Sequence, residues 1–345
     1  MIKRFLMVGI CAAATALAAP PAIRADAFDA AMADAANAWL AEMGAKRDGA
    51  RFKFTDDERF DWHFTPRSRE GAVLRDMTAA QRAATKTLMR STLSSGGILK
   101  AEAIMALEAV LAEIEGSSLS YRDPEKYFIS VFGAPGTYPW GWRLEGHHLS
   151  INVTVPAAGA VSVTPTFLGT NPARVPSGPK QGMRVQYDEY ILALRLARSL
   201  SDAQRKQALL ADRSLGETVA GPGRGDALAK PEGVRVASLA PAQQKLLTQL
   251  IAAYVGIARD EIGRPYMDLV QQGLSETRFA WAGPMAEGQQ FYYRIHGPRI
   301  LIEFDNSQGG GNHIHSLWRD PANDFGRDDL HRHYKGAPEA HGHRP

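Results

Sequence analysis

Cysteine is almost missing from this chain. Its 345 residues include one, Cys11, and that one lies inside an apolar opening segment. A chain that matures after Ala25 carries no thiol, which excludes disulfides, thiolate zinc sites and a cysteine nucleophile. Any metal would have to be held by His, Asp, Glu and water. Excess charge is missing as well. The 40 Lys+Arg against 37 Asp+Glu leave +3, and the three surplus positives are Lys3, Arg4 and Arg24. From residue 26 onward the chain is neutral, which argues against nucleic acid as a partner, because phosphate contacts demand clustered Lys and Arg. Beyond the opening segment no window approaches 18 consecutive apolar residues, so no later span of a bilayer is expected. The sequence also lacks a G-x-S-x-G elbow, an H-E-x-x-H helix, a P-loop and a dinucleotide fingerprint.

The opening segment itself reads as an export signal. Lys3 and Arg4 precede an apolar run from Phe5 to Ala19, followed by small residues ending at Ala22-Ile23-Arg24-Ala25. A positive start, a short apolar core and a small-residue site are the marks of a cleavable secretory signal; an uncleaved anchor is the alternative. The expectation is a periplasmic or secreted protein with no membrane attachment after cleavage.

Two stretches of the remaining chain resemble each other in order and type. The first opens Met77-Thr78-Ala79-Ala80-Gln81, passes two helical patterns and reaches Trp142-Arg143-Leu144-Glu145-Gly146. The second opens Leu239-Ala240-Pro241-Ala242-Gln243, passes two helical patterns and reaches Tyr293-Arg294-Ile295-His296-Gly297. Helices are expected near 27–43, 79–93, 101–115, 241–258 and 260–273, with a helical pair about 187–212. Gly96-Gly97 and Gly116 act as stops, and Ile104, Leu107, Leu111 and Ile114 form one apolar stripe. Glu145-Gly146 and His296-Gly297 sit where tight turns should join strands. The predicted class is therefore α+β: an internal duplication of two helix-pair plus antiparallel-sheet units, with helices packed on one sheet face. The division expected is a signal at 1–25, an N-terminal half at 26–212, a Gly/Pro-rich linker at 213–235, a C-terminal half at 236–334 and a His-containing tail at 335–345.

Strand alternation sorts the candidate chemistry. Leu149, Ile151, Val153 and Val155 share an apolar face, and His148, Ser150, Asn152 and Thr154 the opposite one. Ile300, Ile302 and Phe304 likewise oppose Arg299, Leu301, Glu303 and Asp305. His313-Ile314-His315 puts two imidazoles on one side of a strand, a common arrangement for metal ligation. Of the pair His147-His148, alternation selects His148. The candidate metal set is His148, His313, His315 and Glu303, with Asp305 as another carboxylate, suited to a divalent transition metal such as Zn, Mn, Fe or Cu. The candidate catalytic groups are Glu303 and Asp320 as proton acceptors and Arg294 and Arg319 as holders of an anionic substrate group. The competing reading pairs Arg294 with Glu303 across a hairpin. His331, His333, His341 and His343 read as peripheral.

Several runs together resemble a known family. They are Trp62-His63-Phe64-Thr65-Pro66 with Arg69 and Gly71, Gly146-His147-His148-Leu149-Ser150-Ile151-Asn152, Pro165-Thr166-Phe167-Leu168-Gly169-Thr170-Asn171-Pro172, and His313-Ile314-His315-Ser316 through Arg319-Asp320. They are similar to the domain of unknown function 3500 family of secreted and envelope proteins, over about residues 30–334. The resemblance brings no activity with it; it implies that His148, His313 and His315 belong to something shared. The expected function is a metal-dependent enzyme, hydrolytic by preference, acting on a small molecule. A non-catalytic small-ligand-binding protein and a copper or iron oxidoreductase are the alternatives.

Overall fold

The computed structural model describes residues 25–336; the opening segment expected to be an export signal, up to residue 24, and the tail with His341 and His343 lie outside them. The first part of the chain forms α1 (Ala25–Glu42), β1 (Arg51–Phe52), β2 (Ala72–Val73), α2 (Ala79–Thr92) and α3 (Ser95–Glu115). It continues through β3 (Phe128–Ala134), β4 (Thr137–Gly146), β5 (Leu149–Ala157), β6 (Ala160–Ser162) and β7 (Thr166–Thr170). Next come α4 (Tyr187–Ser199), α5 (Asp202–Ala208), β8 (Leu209–Ala211), β9 (Val234–Arg235), α6 (Pro241–Val255) and α7 (Asp260–Gln272). The last elements are β10 (Arg278–Ala282), β11 (Tyr292–Gly297), β12 (Ile300–Gln308), β13 (His313–Arg319) and α8 (Arg327–Gly336).

The 13 strands make one sheet. Its order is β1-β3-β4-β5-β7-β13-β12-β11-β10-β8, with β2 and β9 added on β3 and β10 and β6 on β5. The inner pairs are antiparallel, and β7 and β13 meet at the centre with Trp318 opposite Thr166. Near the edges, β1 runs parallel to β3 and β8 parallel to β10. The sheet is thus mixed, not purely antiparallel as the alternation suggested. Alternation cannot reveal this, because it reports which face a residue takes and not the direction of its neighbour.

One face carries the core. Leu144, Ile151, Val153, Ile302, Phe304 and Trp318 pack in one cluster with helix residues such as Leu88, Ile104, Leu194, Leu247 and Ile251. The helices enter this layer with strong start signals. Thr78 and Ser201 form capping boxes with Gln81 and Gln204, and Ser94 accepts a hydrogen bond from the Gly97 N–H, which satisfies N–H groups that the first helical turn leaves unpaired. The Ser94 cap overturns one expectation: Gly96-Gly97 do not stop a helix but lie in the first turn of α3. The reason is a close approach. The elbow between α2 and α3 meets the elbow between α6 and α7, where Ser94 N–H donates to Ile257 O and Arg259 N–H to Thr92 O, each at 2.9 Å. A Cβ at Gly97 would lie 2.1 Å from the Ile257 carbonyl oxygen, so only glycine fits. Ile114, placed in the apolar stripe by its spacing, is 50% exposed because α3 runs past the edge of the layer.

The opposite face of the sheet is polar yet buried. Arg143, Glu145, Asn152, Arg294, His296, Glu303 and Asp305 are all shielded from solvent. Long connections cover them. One lies between β1 and β2, and another, between β8 and β9, contains most of the stretch expected as a linker. Thr218 and Ala220 within that stretch are buried, so it packs as part of the cover.

Leu144 is fully buried at the middle of β4, whereas Leu99 is 66% exposed. Leu144→Ala is expected to cost about 2–5 kcal/mol in urea unfolding, and Leu99→Ala to stay within about 0.5 kcal/mol of wild type. Equal costs would contradict this layer assignment.

Candidate metal centre

The site begins at a hairpin turn. Gly146 ends β4 and Leu149 opens β5, so His147 and His148 are the two turn residues. The turn therefore lies two residues beyond the Glu145-Gly146 expected from sequence, and in the second hairpin Pro298 and Arg299 likewise take the place expected for His296-Gly297. His148 adopts φ +62°, a left-handed conformation that non-glycine residues enter infrequently. This backbone, and not strand alternation, aims the His148 ring. The turn is pinned on both sides: His148 N–H donates to Phe64 O at 2.8 Å, and its carbonyl accepts from Gly169 N–H at 2.7 Å. A Cβ on Gly169 would sit 2.9 Å from His148 Cδ2, so Gly169 leaves the ring its room.

His313 and His315 come from the start of β13. The ring nitrogens of His148, His313 and His315 lie within 4.8 Å of one another. His148 Nε2 and His313 Nε2 are 2.8 Å apart. Burial lowers the pKa of both rings, with further lowering from neighbouring histidines, and that of His313 falls to about 3. At neutral pH both imidazoles are uncharged and keep a lone pair for a metal.

A carboxylate holds the third ring. His315 Nδ1 lies 2.8 and 2.7 Å from the two Glu217 oxygens. With Nδ1–H donating there, Nε2 is left as the ligand atom. Burial would raise the Glu217 pKa, but hydrogen bonds from His315 and from Thr218 outweigh it and keep the group below the ordinary range. Glu217 also accepts from Gln308 Nε2 at 3.2 Å. On the other flank the His147 ring stacks on His148 at 3.7 Å. Its Nδ1 is 2.5 Å from Glu108 Oε1, and Glu108, His147 and His148 form a second group close enough to share an ion. Phe64 and Phe167 stack at 3.9 Å and turn their edges toward His315, closing the site on the side of the cover.

The other expected residues stand apart. Glu303 faces Leu317 and not a histidine. Its Oε1 accepts from Val219 N–H at 2.7 Å and Tyr292 O–H at 2.6 Å, and its Oε2 accepts from Ala220 N–H at 2.7 Å. Burial raises its pKa, against these hydrogen bonds. Asp305 does lie opposite His315, but its oxygens accept from Ser214 and from Ser307. Asp320 is held by Arg299 at 2.7 Å, and Arg319 by Asp324 at 2.5 Å and by Ala220 O at 2.8 Å. Arg319 lies four positions from His315 on β13, about 13 Å along the strand. Arg294 faces Glu303 in register but donates to Glu232 at 2.7 Å. Of the expected metal set, then, three histidines assemble and Glu303 does not; none of the four catalytic candidates is among their partners.

Sequence reasoning missed Glu217, and alternation set His147 aside. Glu217 sits in a stretch without period, 98 positions from His315, so no spacing could have joined them. Glu108 had a signal, an acid beside an apolar stripe, and it is buried beneath His147. Beyond this chain, residues 26–327 match the model of one family, described as protein of unknown function (DUF3500). No curated protein and no solved structure matches.

One pH effect follows from the polar face. Burial, reinforced by Arg294, pushes the His296 pKa down to about 4. The unfolded chain therefore binds the extra proton first, and the His296 contribution to stability is present above about pH 6.5 and lost as pH falls toward about 4. The urea midpoint should drop over that window, and His296→Asn should flatten the drop. Identical pH slopes for the two proteins would contradict it.

Proposed function

We propose that this chain, which belongs to the DUF3500 family of proteins of unknown function, is an exported metal-dependent enzyme that hydrolyses a small-molecule substrate. The observation that carries the reading is the convergence of three imidazoles from one hairpin turn and one strand, with nitrogens within 4.8 Å of one another.

The donor set fits a transition ion. Two tetrahedral ligands, each about 2.0–2.1 Å from a metal, stand about 3.3 Å apart, so the His148 and His313 nitrogens, which share a hydrogen bond at 2.8 Å, would move about half an ångström apart to hold one ion. Imidazole suits Zn, Mn, Fe or Cu; the absence of thiolates disfavours a closed structural zinc site. Three protein ligands leave positions for water and substrate, which is the habit of catalytic centres. A bound divalent ion supplies Lewis acidity and a lowered pKa for water.

The chain's own residues do the rest. Glu217 fixes the His315 tautomer, and with its side chain 38% exposed it can take a proton at the rim. The His147 ring and Gly169 hold His148 in plane. His313 is the least buried of the three and marks the open side. The positive start and apolar core of the first 25 residues support export. We also read the molecule as an internal duplication. The β4–turn–β5 and β11–turn–β12 hairpins flank the central β7–β13 pair, and each half adds a parallel strand, β1 on β3 and β8 on β10.

The test is metal content by mass spectrometry on the untagged chain 26–345. About one equivalent is expected in wild type and none in a folded His313→Ala/His315→Ala variant. Glu217→Gln should keep the stoichiometry at saturation but weaken affinity about 10–100-fold. If no ion binds after reconstitution with Zn, Mn, Fe and Cu, the metalloenzyme reading is wrong and a metal-free ligand-binding protein takes its place.

A further inference from the structure

We propose that the chain binds a small organic anion with an apolar body in a second site, a cavity of about 770 Å³ at the end of β13 remote from the histidines. The inference does not rest on the metal reading.

Three strands supply the floor. His296 of β11, Leu301 of β12 and Arg319 of β13 line the cavity from the sheet, and Arg59, Leu228 and Phe325 line it from the cover. The volume is that of a site for a drug-sized molecule. Its apolar part is a built surface: Leu301 belongs to a satellite cluster with Trp62, Phe64 and Phe167, against which Leu228 and Phe325 pack. Its cationic part is fixed in place. The Arg59 guanidinium lies 4.2 Å over the rings of both Phe54 and Phe60. Arg319 is locked between Asp324 and the Ala220 carbonyl, and Arg327 stands at the rim, held by Pro321 O at 2.6 Å. These three arginines outnumber the two acids of the lining, Asp226 and Asp324. Planar guanidinium groups held in advance suit a carboxylate or sulfonate.

An independent observation points to a ligand. His296 lines the cavity, is 5% exposed, and its Nδ1 is buried with no hydrogen-bond partner. Buried polar atoms are almost always paired, and an orphan beside a cavity is satisfied when a ligand's polar group reaches it. The site is separate from the metal centre. Leu317 occupies the β13 face between His315 and Arg319, and the Phe64–Phe167 stack forms the wall between them.

The experiment is a fluorescence titration with anilinonaphthalene sulfonate, an aromatic body bearing one anionic group, followed by displacement. Ala229 and Arg327 are exposed at the cavity, so Ala229→Trp and Arg327→Ala alter it with little risk to folding, which circular dichroism verifies. Saturable binding to one site is expected. Phenylacetate should displace the probe at least tenfold better than phenylacetamide. Both variants should weaken binding about tenfold or more, and His313→Ala/His315→Ala should bind as wild type does. Any of four outcomes overturns the proposal: no saturable binding, equal displacement by the amide, unchanged binding in both cavity variants, or loss of binding in the folded histidine variant.

Discussion

Both faces of the sheet are buried, and only one of them is apolar. The other presents charged and amide side chains, which cost free energy when removed from water unless each finds a partner. That requirement organises the molecule. Glu303 is surrounded by the Val219 and Ala220 N–H groups and the Tyr292 hydroxyl. Glu145 accepts from His63 N–H at 3.0 Å and pairs with Arg143 at 2.7 Å. In both cases the sheet carboxylate is satisfied by backbone of a covering loop, so the loop is held where the strand places it. Arg69 repeats this in reverse, rising from the loop to donate to Gly146 O at 3.1 Å.

The histidine cluster depends on the same arrangement. The first loop brings Phe64, whose carbonyl receives His148 N–H and whose ring stacks on Phe167. The second brings Glu217 to His315. Between them the loops orient two of the three rings, while the sheet supplies the ring positions through β13 and the β4–β5 turn.

Much of the fold was legible. Period-two alternation in 149–155 and 300–305 assigned the faces correctly, because side-chain direction in a strand follows from backbone geometry alone. Helix starts at Ala79 and Pro241 were marked by Gln81 and Gln243 two residues on, and both glutamines sit at the capping position. What failed needed information from elsewhere in the chain. Gly97 looks like a helix stop until the Ile257 carbonyl lies against it. His148 reads as a strand residue because its positive φ leaves no mark in a hydrophobic pattern. Glu303 is an acid on the right face of the neighbouring strand, yet the register places it opposite Leu317, and a shift of two residues is enough to exchange a ligand for a structural anchor. Glu217 was invisible, since a loop reveals its contacts only when folded.

The polar face of β13 shows how one strand can serve two sites. His313, His315, Leu317 and Arg319 project to the same side at intervals of two residues, about 6.6 Å each. The first two reach the histidine cluster, the third fills the wall beneath Phe167, and the fourth reaches the cavity. Leu317 is fully buried and clusters with Phe64, Phe167 and Leu301, so apolar packing stands between the two sites. Were the strand polar throughout, the cation expected at one end and the anion expected at the other would share one solvent-filled groove and would attract each other directly. An apolar residue at the midpoint, backed by stacked aromatics from two elements, keeps the charges of the two sites apart. Separation by packing is therefore the physical condition under which a centre for a cation and a pocket for an anion can coexist on seven residues of chain.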